Sequence, residues 1–191
     1  MPNTQPKLYL AGPEVFRPDA IEYAQTQRSL CVQYGFVGLH PMDNNIDLSD
    51  SSMRTATSIY RGDIDQIKAC DIVIANCNAF RGALIDDGTA YELGYGNALG
   101  KPTYGYIERL LPEQELLQER CVFTTLPDGR NIDQDGFLLV DDFGTSINLM
   151  MQCGMFDSGG RLVEGDFETC LQAIRHDLDN GTLLLAPSET D

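Results

Sequence analysis

The run Asp71-Ile72-Val73-Ile74-Ala75-Asn76 constrains the fold more than any other stretch. Its apolar residues leave no polar face, so a strand here must be covered on both sides. That condition is met inside a parallel sheet with a helix layer on each face. Neighbouring segments repeat the pattern. Residues 7–11 (KLYLA) form a short apolar run stopped by Gly12-Pro13, which reads as a strand ended by a turn. Residues 35–39 (GFVGL), 102–107 (PTYGYI) and 136–140 (GFLLV) read as the second, fourth and fifth strands.

Helical spacing fills the gaps between them. Residues 18–34 place Ala20, Tyr23, Ala24, Gln27 and Leu30 near one face, with Pro18 at the start and Gly35 just past the end. Further helices are predicted over 53–69, 89–99, 146–153 and 165–178, with Gly100-Lys101-Pro102 ending the third. Residues 40–52 and 80–87 read as loops, 159–164 as a glycine-containing loop, and 187–191 as a frayed tail. Residues 108–134 are a polar excursion with one short helix over 113–119. The alternation predicts a single α/β domain over residues 1–191. It is a three-layer sandwich, a doubly wound parallel sheet of about five strands with helices on both faces. Ligands in such folds bind beyond the C-terminal strand ends. The Gly12 loop, the Asp43 loop and the loop after Asn76 all lie there.

Charge narrows the partners. Thirteen basic residues against twenty-nine acidic ones give a net charge of −16. That field repels nucleic-acid polymer and anionic membrane surfaces, but leaves a small neutral ligand acceptable. No apolar run approaches the roughly 20 residues that span a bilayer. The N-terminus lacks the pattern of a secretory signal, so the expected location is the cytoplasm, with reduced thiols. The six cysteines form no CxxC pair and no zinc-spaced cluster, and no metal is expected. No P-loop, HExxH or GxSxG occurs. Gly94-x-Gly96-x-x-x-Gly100 has the wrong spacing for a dinucleotide loop and reads as close packing of a helix on the sheet. His40 reads as structural and His176 as solvated.

The densest group of reactive side chains is Asp86-Asp87-Gly88-Thr89-Ala90-Tyr91-Glu92-Leu93-Gly94. It opens a helix, and Glu92 falls near the first turn, where the helix dipole favours an ionised, nucleophilic carboxylate. Taken alone, the pattern fits a capping box better: Thr89-x-x-Glu92, with Asp86 or Asp87 as plain caps. Asp63 and Asp65, read alone, are solvated helix charges, and Tyr9 is a core residue.

Five motifs in order change the balance. They are Leu8-Tyr9-Leu10-Ala11-Gly12-Pro13 with Phe16; Tyr60-x-x-Asp63-x-x-x-Ile67-x-x-Cys70-Asp71; Asp86-x-Gly88-Thr89-Ala90-x-Glu92-x-Gly94; Gly100-Lys101-Pro102; and Ile147-Asn148-Leu149-Met150. Together, from Tyr9 to about Met151, the chain resembles the nucleoside 2-deoxyribosyltransferases. The resemblance implies a flavodoxin-like fold. It implies Glu92 as the nucleophile that attacks C1′, Asp63 as the acid that assists base departure and return, and Tyr9 as the orienter of the nucleophile. Asp86 would hold the sugar hydroxyls. Gly12, Phe16, Asn45 and Met150 would line the substrate pocket. Asn148 would reach the 5′-hydroxyl from a neighbouring subunit, which implies a homo-oligomer.

The chemistry is coherent. Retaining cleavage of a glycosidic bond needs one ionised carboxylate below C1′ and one acid at the leaving group. Asp63 suits the second role only if burial or neighbouring charge raises its pKa. Asp63, Asp86, Asp87 and Glu92 crowding one cleft would supply the charge. No cofactor is required. The expected activity is transfer of deoxyribose between a 2′-deoxynucleoside and a free nucleobase. The alternatives are hydrolysis of a deoxynucleoside 5′-monophosphate and a non-catalytic nucleotide sensor.

Overall fold

A computed structural model of the chain describes residues 5–44, 46, 50–138 and 143–185. Five parallel strands form its central sheet: β1 (Lys7–Ala11), β2 (Val37–Leu39), β3 (Ile72–Asn76), β4 (Thr103–Ile107) and, later in the chain, Leu162–Glu164. Six α-helices are described: α1 (Ala20–Gln33), α2 (Met53–Ala69), α3 (Asp87–Ala98), α4 (Glu113–Gln118), α5 (Leu149–Asp157) and α6 (Phe167–Asp179). A two-stranded antiparallel ribbon, β5 (Phe123–Thr125) with β6 (Asn131–Asp133), stands apart from the sheet. Leu162–Glu164 is therefore β7.

The sheet order is β2-β1-β3-β4-β7. β1 pairs in parallel with both β2 and β3, so winding reverses between them. A crevice opens at such a switch point, beyond the strand ends.

Each strand sends alternate side chains to opposite faces. Ile72 and Ile74 join Leu8, Leu10, Tyr104 and Tyr106 in one core, under Cys31 of α1 and Leu171 and Ile174 of α6. Val73 and Ala75 join Tyr9 and Ala11 in the other, under Ile67 of α2, Leu93 of α3 and Met155 of α5. Fully burying an aliphatic side chain of this size contributes roughly 1.5–3 kcal/mol. Gly96 is where α3 meets the sheet: a Cβ there would lie 2.6 Å from Val73 Cγ2. The predicted role of that glycine spacing holds.

The structure corrects several sequence expectations. The fifth sheet strand is β7, not 136–140. Gly136 turns the chain with φ +87°, Phe137 is 71% exposed, and Leu138 makes one isolated antiparallel bridge to Ile132. Leu139 and Val140 lie outside the described residues, as does the tail 187–191. The 159–164 loop contains β7, whose three residues are too few to show periodicity. The helix expected over 146–153 starts later, at Leu149, because Asn148 caps it and accepts from Met150 N at 3.0 Å.

Candidate active site

The crevice holds a cavity of about 480 Å³, lined among others by Gly12, Phe16, Asn44, Asp63, Asp86 and Glu92. Four elements bring these side chains together. β1 delivers Tyr9 from below, and the 3-10 turn Pro13–Phe16 carries Phe16. Asn44 follows the 3-10 turn Pro41–Asp43, Asp63 stands on α2, and Asp86 and Glu92 stand at the start of α3.

The start of α3 is organised by Asp86, not by Thr89. Asp86 Oδ2 accepts from Thr89 N at 2.9 Å and from Thr89 Oγ1 at 3.0 Å. Glu92 is thereby released from capping. It lies six residues past the cap, in the second turn, beyond the reach of the helix dipole. Its side chain enters the cleft, where Tyr9 OH donates to Oε1 at 2.5 Å.

Burial and neighbouring charge set the protonation of the acids. Burial pushes Glu92 up to about 8; the Tyr9 hydrogen bond opposes this, and the charges of Asp63 and Asp86 add to it. Burial also pushes Asp63 up to about 6, against the hydrogen bond from Asn44. Repulsion thus acts mainly on Glu92, whereas Asp63 is raised by desolvation. Asp87 does not join the cleft. It lines a separate cavity of about 290 Å³, with Arg109, Arg120, Ser146 and Asn148. The Tyr9 phenol is held far above its ordinary range, first by burial and then by the Glu92 and Asp63 charges. It therefore remains a hydrogen-bond donor.

Phe16 forms one wall of the cleft. Its ring stacks on Phe80 at 5.5 Å, and the Arg81 guanidinium sits 4.7 Å from both ring centres. Arg81 holds a left-handed φ of +49°, a conformation that costs an ordinary side chain about 1 kcal/mol or more. Neither Phe80 nor Arg81 was singled out from the sequence. Asn44 was also missed in favour of its neighbour Asn45, which lies outside the described residues. The signal lay in the pair Asp43-Asn44 closing a turn ahead of α2.

Asn148 and Met150 are not brought to the Glu92 cleft of their own chain. Asn148 caps α5 beside the 290 Å³ cavity, and Met150 is 76% exposed. His40 is structural, as expected. It is buried, its Nδ1 accepts from Met42 N at 3.0 Å, and burial lowers its pKa to about 4. His176 is largely solvated. Among the described residues no three His, Cys, Asp or Glu side chains gather as a metal site, and no helix is long and apolar enough to cross a membrane.

The chain is an α/β protein with a doubly wound parallel sheet that sets a tyrosine-bonded glutamate and two further acids at its switch point. The family model described as nucleoside 2-deoxyribosyltransferase matches residues 8–150. An uncharacterised protein of Schizosaccharomyces pombe is 34% identical over 181 residues, spanning 87% of this chain and 84% of its own. The solved 2-desoxiribosyltransferase from Leishmania mexicana is 31% identical with a TM-score of 0.66, covering 90% of this chain and 97% of that one. A conserved protein from Enterococcus faecalis, 18% identical, shares the fold with a TM-score of 0.58 over 93% of this chain and 99% of its own. The chain belongs to the nucleoside 2-deoxyribosyltransferase family.

Proposed function

We propose that this chain moves 2-deoxyribose from one nucleobase to another through an ester on Glu92. The observation that carries the reading is the Tyr9–Glu92 hydrogen bond in a cleft that also holds Asp63 and Asp86. Tyr9 occupies Oε1, which leaves Oε2 to attack C1′ of a 2′-deoxynucleoside. The C1′–N bond breaks, its electron pair leaves with the base, and the base takes the Asp63 proton. In the second half, an incoming base attacks C1′ through nitrogen. The ester bond breaks, its electrons return to Glu92, and Asp63 takes the proton lost by the new base. The productive free enzyme carries one proton on Asp63 and none on Glu92. With Asp63 near 6 and Glu92 near 8, one proton is shared by the two across neutral pH and rests mostly on Glu92; the reaction draws on the fraction that carries it on Asp63.

Phe16 supplies a ring face for the base, and Asp86 a carboxylate for the sugar hydroxyls. Asn148 serves the site of a second subunit. That role is supported by the α5 surface beside it, where Met150 is 76% and Phe156 82% exposed, an apolar face that a second copy would cover. Asn148→Ala should weaken exchange, and Met150→Asp should lower the mass of the assembly by light scattering. The six thiols, all unpaired, suit a reducing cytoplasm, where we place the reaction.

The test is incubation with deoxyinosine, with and without adenine. Deoxyadenosine formed only when adenine is present supports transfer. Release of free hypoxanthine without exchange, or turnover of a deoxynucleoside monophosphate alone, would establish a hydrolase instead. No turnover of either would leave a sensor.

A further inference from the structure

Asp63 is gripped by an arrangement that the transfer reaction does not by itself require. Asn44 Nδ2 donates to Asp63 Oδ1 at 2.7 Å. Gln66 Nε2, one turn along α2 from Gly62, donates to Asn44 Oδ1 at 3.0 Å. The Asn44 amide lies flat against Gly62: a Cβ there would come within 2.6 Å of Asn44 Cγ and 2.7 Å of both terminal amide atoms. A glycine inside a helix lowers helix propensity relative to alanine. In α2 the position makes room for this amide.

We propose that Gln66, Asn44 and Gly62 form a positioning device that fixes which oxygen of Asp63 carries the exchangeable proton and which way it faces. The reasoning follows from donors and acceptors. Gln66 presents an N–H to Asn44, so the Asn44 carbonyl faces Gln66 and its NH2 faces Asp63. Oδ1 is then occupied as an acceptor, and the proton resides on Oδ2. A reversed Asn44 amide would turn its carbonyl to Asp63. It would accept the acid's proton itself and leave none for the departing base. Gln66 and Asn44 are positioning residues that act through Asp63.

The charged groups around Asp63 do not duplicate this. From β1 and α3 it faces Tyr9, Glu92 and Asp86, which supply a phenol and two acids. On the side of the Pro41–Asp43 turn, Asp43 is engaged by Arg28, and buried His40 is held neutral. On α2 itself, exposed Asp65 pairs with Lys68 at 3.7 Å. Among the described residues, Asn44 is the donor to the Asp63 carboxylate. Its removal should therefore favour the protonated form.

The role assigned to Asp63 rests on the transferase reading, so the test reads the carboxyl group as well as turnover. The Asp63 signal in a protein carrying carboxyl-labelled aspartate is assigned by its absence in Asp63→Asn, then titrated in the resting protein. Asn44→Leu should raise its midpoint by about one pH unit, as loss of a hydrogen bond to a charged group implies. Gln66→Met should move it in the same direction, although Gln66 lies one residue removed from Asp63. Gly62→Ala improves helix propensity and should fold, yet it displaces the amide and should raise the midpoint as well. The Asn44→Leu/Gln66→Met double variant should shift no further than Asn44→Leu alone, because the two act in series. In exchange assays the acid limb of kcat/KM should follow each midpoint upward, with kcat falling about tenfold in Gln66→Met.

Unmoved midpoints in both Gln66→Met and Gly62→Ala would overturn the device, as would additive shifts. Shifted midpoints in a protein that exchanges no bases would sink the transferase reading and leave the device standing. Full exchange with unmoved midpoints would do the reverse.

Discussion

Two tyrosine–glutamate pairs lie on opposite faces of the sheet, and their surroundings give them opposite characters. Under α1 and α6, Glu14 is 8% exposed. Its Oε1 accepts from Tyr106 OH of β4 at 2.9 Å and from Asn76 Nδ2 at the end of β3 at 2.7 Å. Under α2 and α3, Glu92 has one recorded donor among the described residues, Tyr9 at 2.5 Å, and it feels the charges of Asp63 and Asp86. Burial disfavours the charge of any carboxylate, and donors restore it. Two donors make Glu14 a tie that holds the Pro13–Phe16 turn to the strand ends. One donor opposed by two acids leaves Glu92 with affinity for a proton or, in its place, for a developing cation. The same residue pair ties a turn to the strand ends on one face and stands at the cleft on the other.

The largest expected break in this comparison is in turnover. Glu92→Gln should reduce base exchange by about 10⁴-fold or more, as loss of a covalent nucleophile does. Glu14→Gln should change it by less than about tenfold. Steady-state exchange rates at one pH check both. Equal losses would erase the distinction between the two pairs.

The tyrosines should separate next. Tyr9→Phe should lower kcat about 10- to 100-fold. It should also move the alkaline limb of the pH profile upward, because the lost hydrogen bond favoured the ionised form of Glu92. Wild-type activity should peak between about 6 and about 8. Tyr106→Phe should leave both limbs in place. A pH–rate profile for each variant decides this.

The smallest effect is in stability, and there the two glutamates should differ in sign. Burial raises the folded-state pKa of Glu92 from 4.5 to about 8. The fold therefore prefers its protonated form. That contribution is complete below about 4.5 and is lost as pH rises through about 8. Glu92→Gln should be more stable than the wild type at pH 9 and close to it at pH 4. Glu14→Gln weakens the bonds from Tyr106 and Asn76 and should be less stable at neutral pH by about 1 kcal/mol. Urea midpoints at the three pH values measure the signs. A stabilised Glu14→Gln would contradict its structural role.

Much of the fold was legible in the order of residues. The apolar run at 71–76 required two helix layers, the helix at 18–34 had turn signals at both ends, and that at 89–99 had one after its last turn. The edge strand β7 was not legible, because three residues show no period. The described part of the 136–140 run, Gly136 to Leu138, follows the ribbon and leaves Phe137 exposed. Glu92, Asp63, Asp86, Gly12 and Phe16 line one cleft, with Tyr9 bonded to Glu92. Asn148 and Met150 do not reach the same cleft within one chain. The link from Asn44 to Gln66 and Gly62 was invisible, because an amide pressed on a helical glycine from a loop 18 residues earlier leaves no local pattern.

The sequence by itself determined the layer architecture and the identities of the acids, because hydrophobic period and residue type are local properties. It also determined the motif order that marks the family. It did not determine which carboxylate is free to react. Spacing alone made Glu92 half of a capping box and Asp86 or Asp87 a plain cap. The cap on Asp86 held, and tertiary packing turned Glu92 into the cleft instead. Asp86 took the Thr89 amide, β1 brought Tyr9 beneath Glu92, and burial by α2 and α3 raised its proton affinity. Proton affinity depends on what surrounds a carboxylate in space, and neighbours 83 residues away in the chain are set only by the fold.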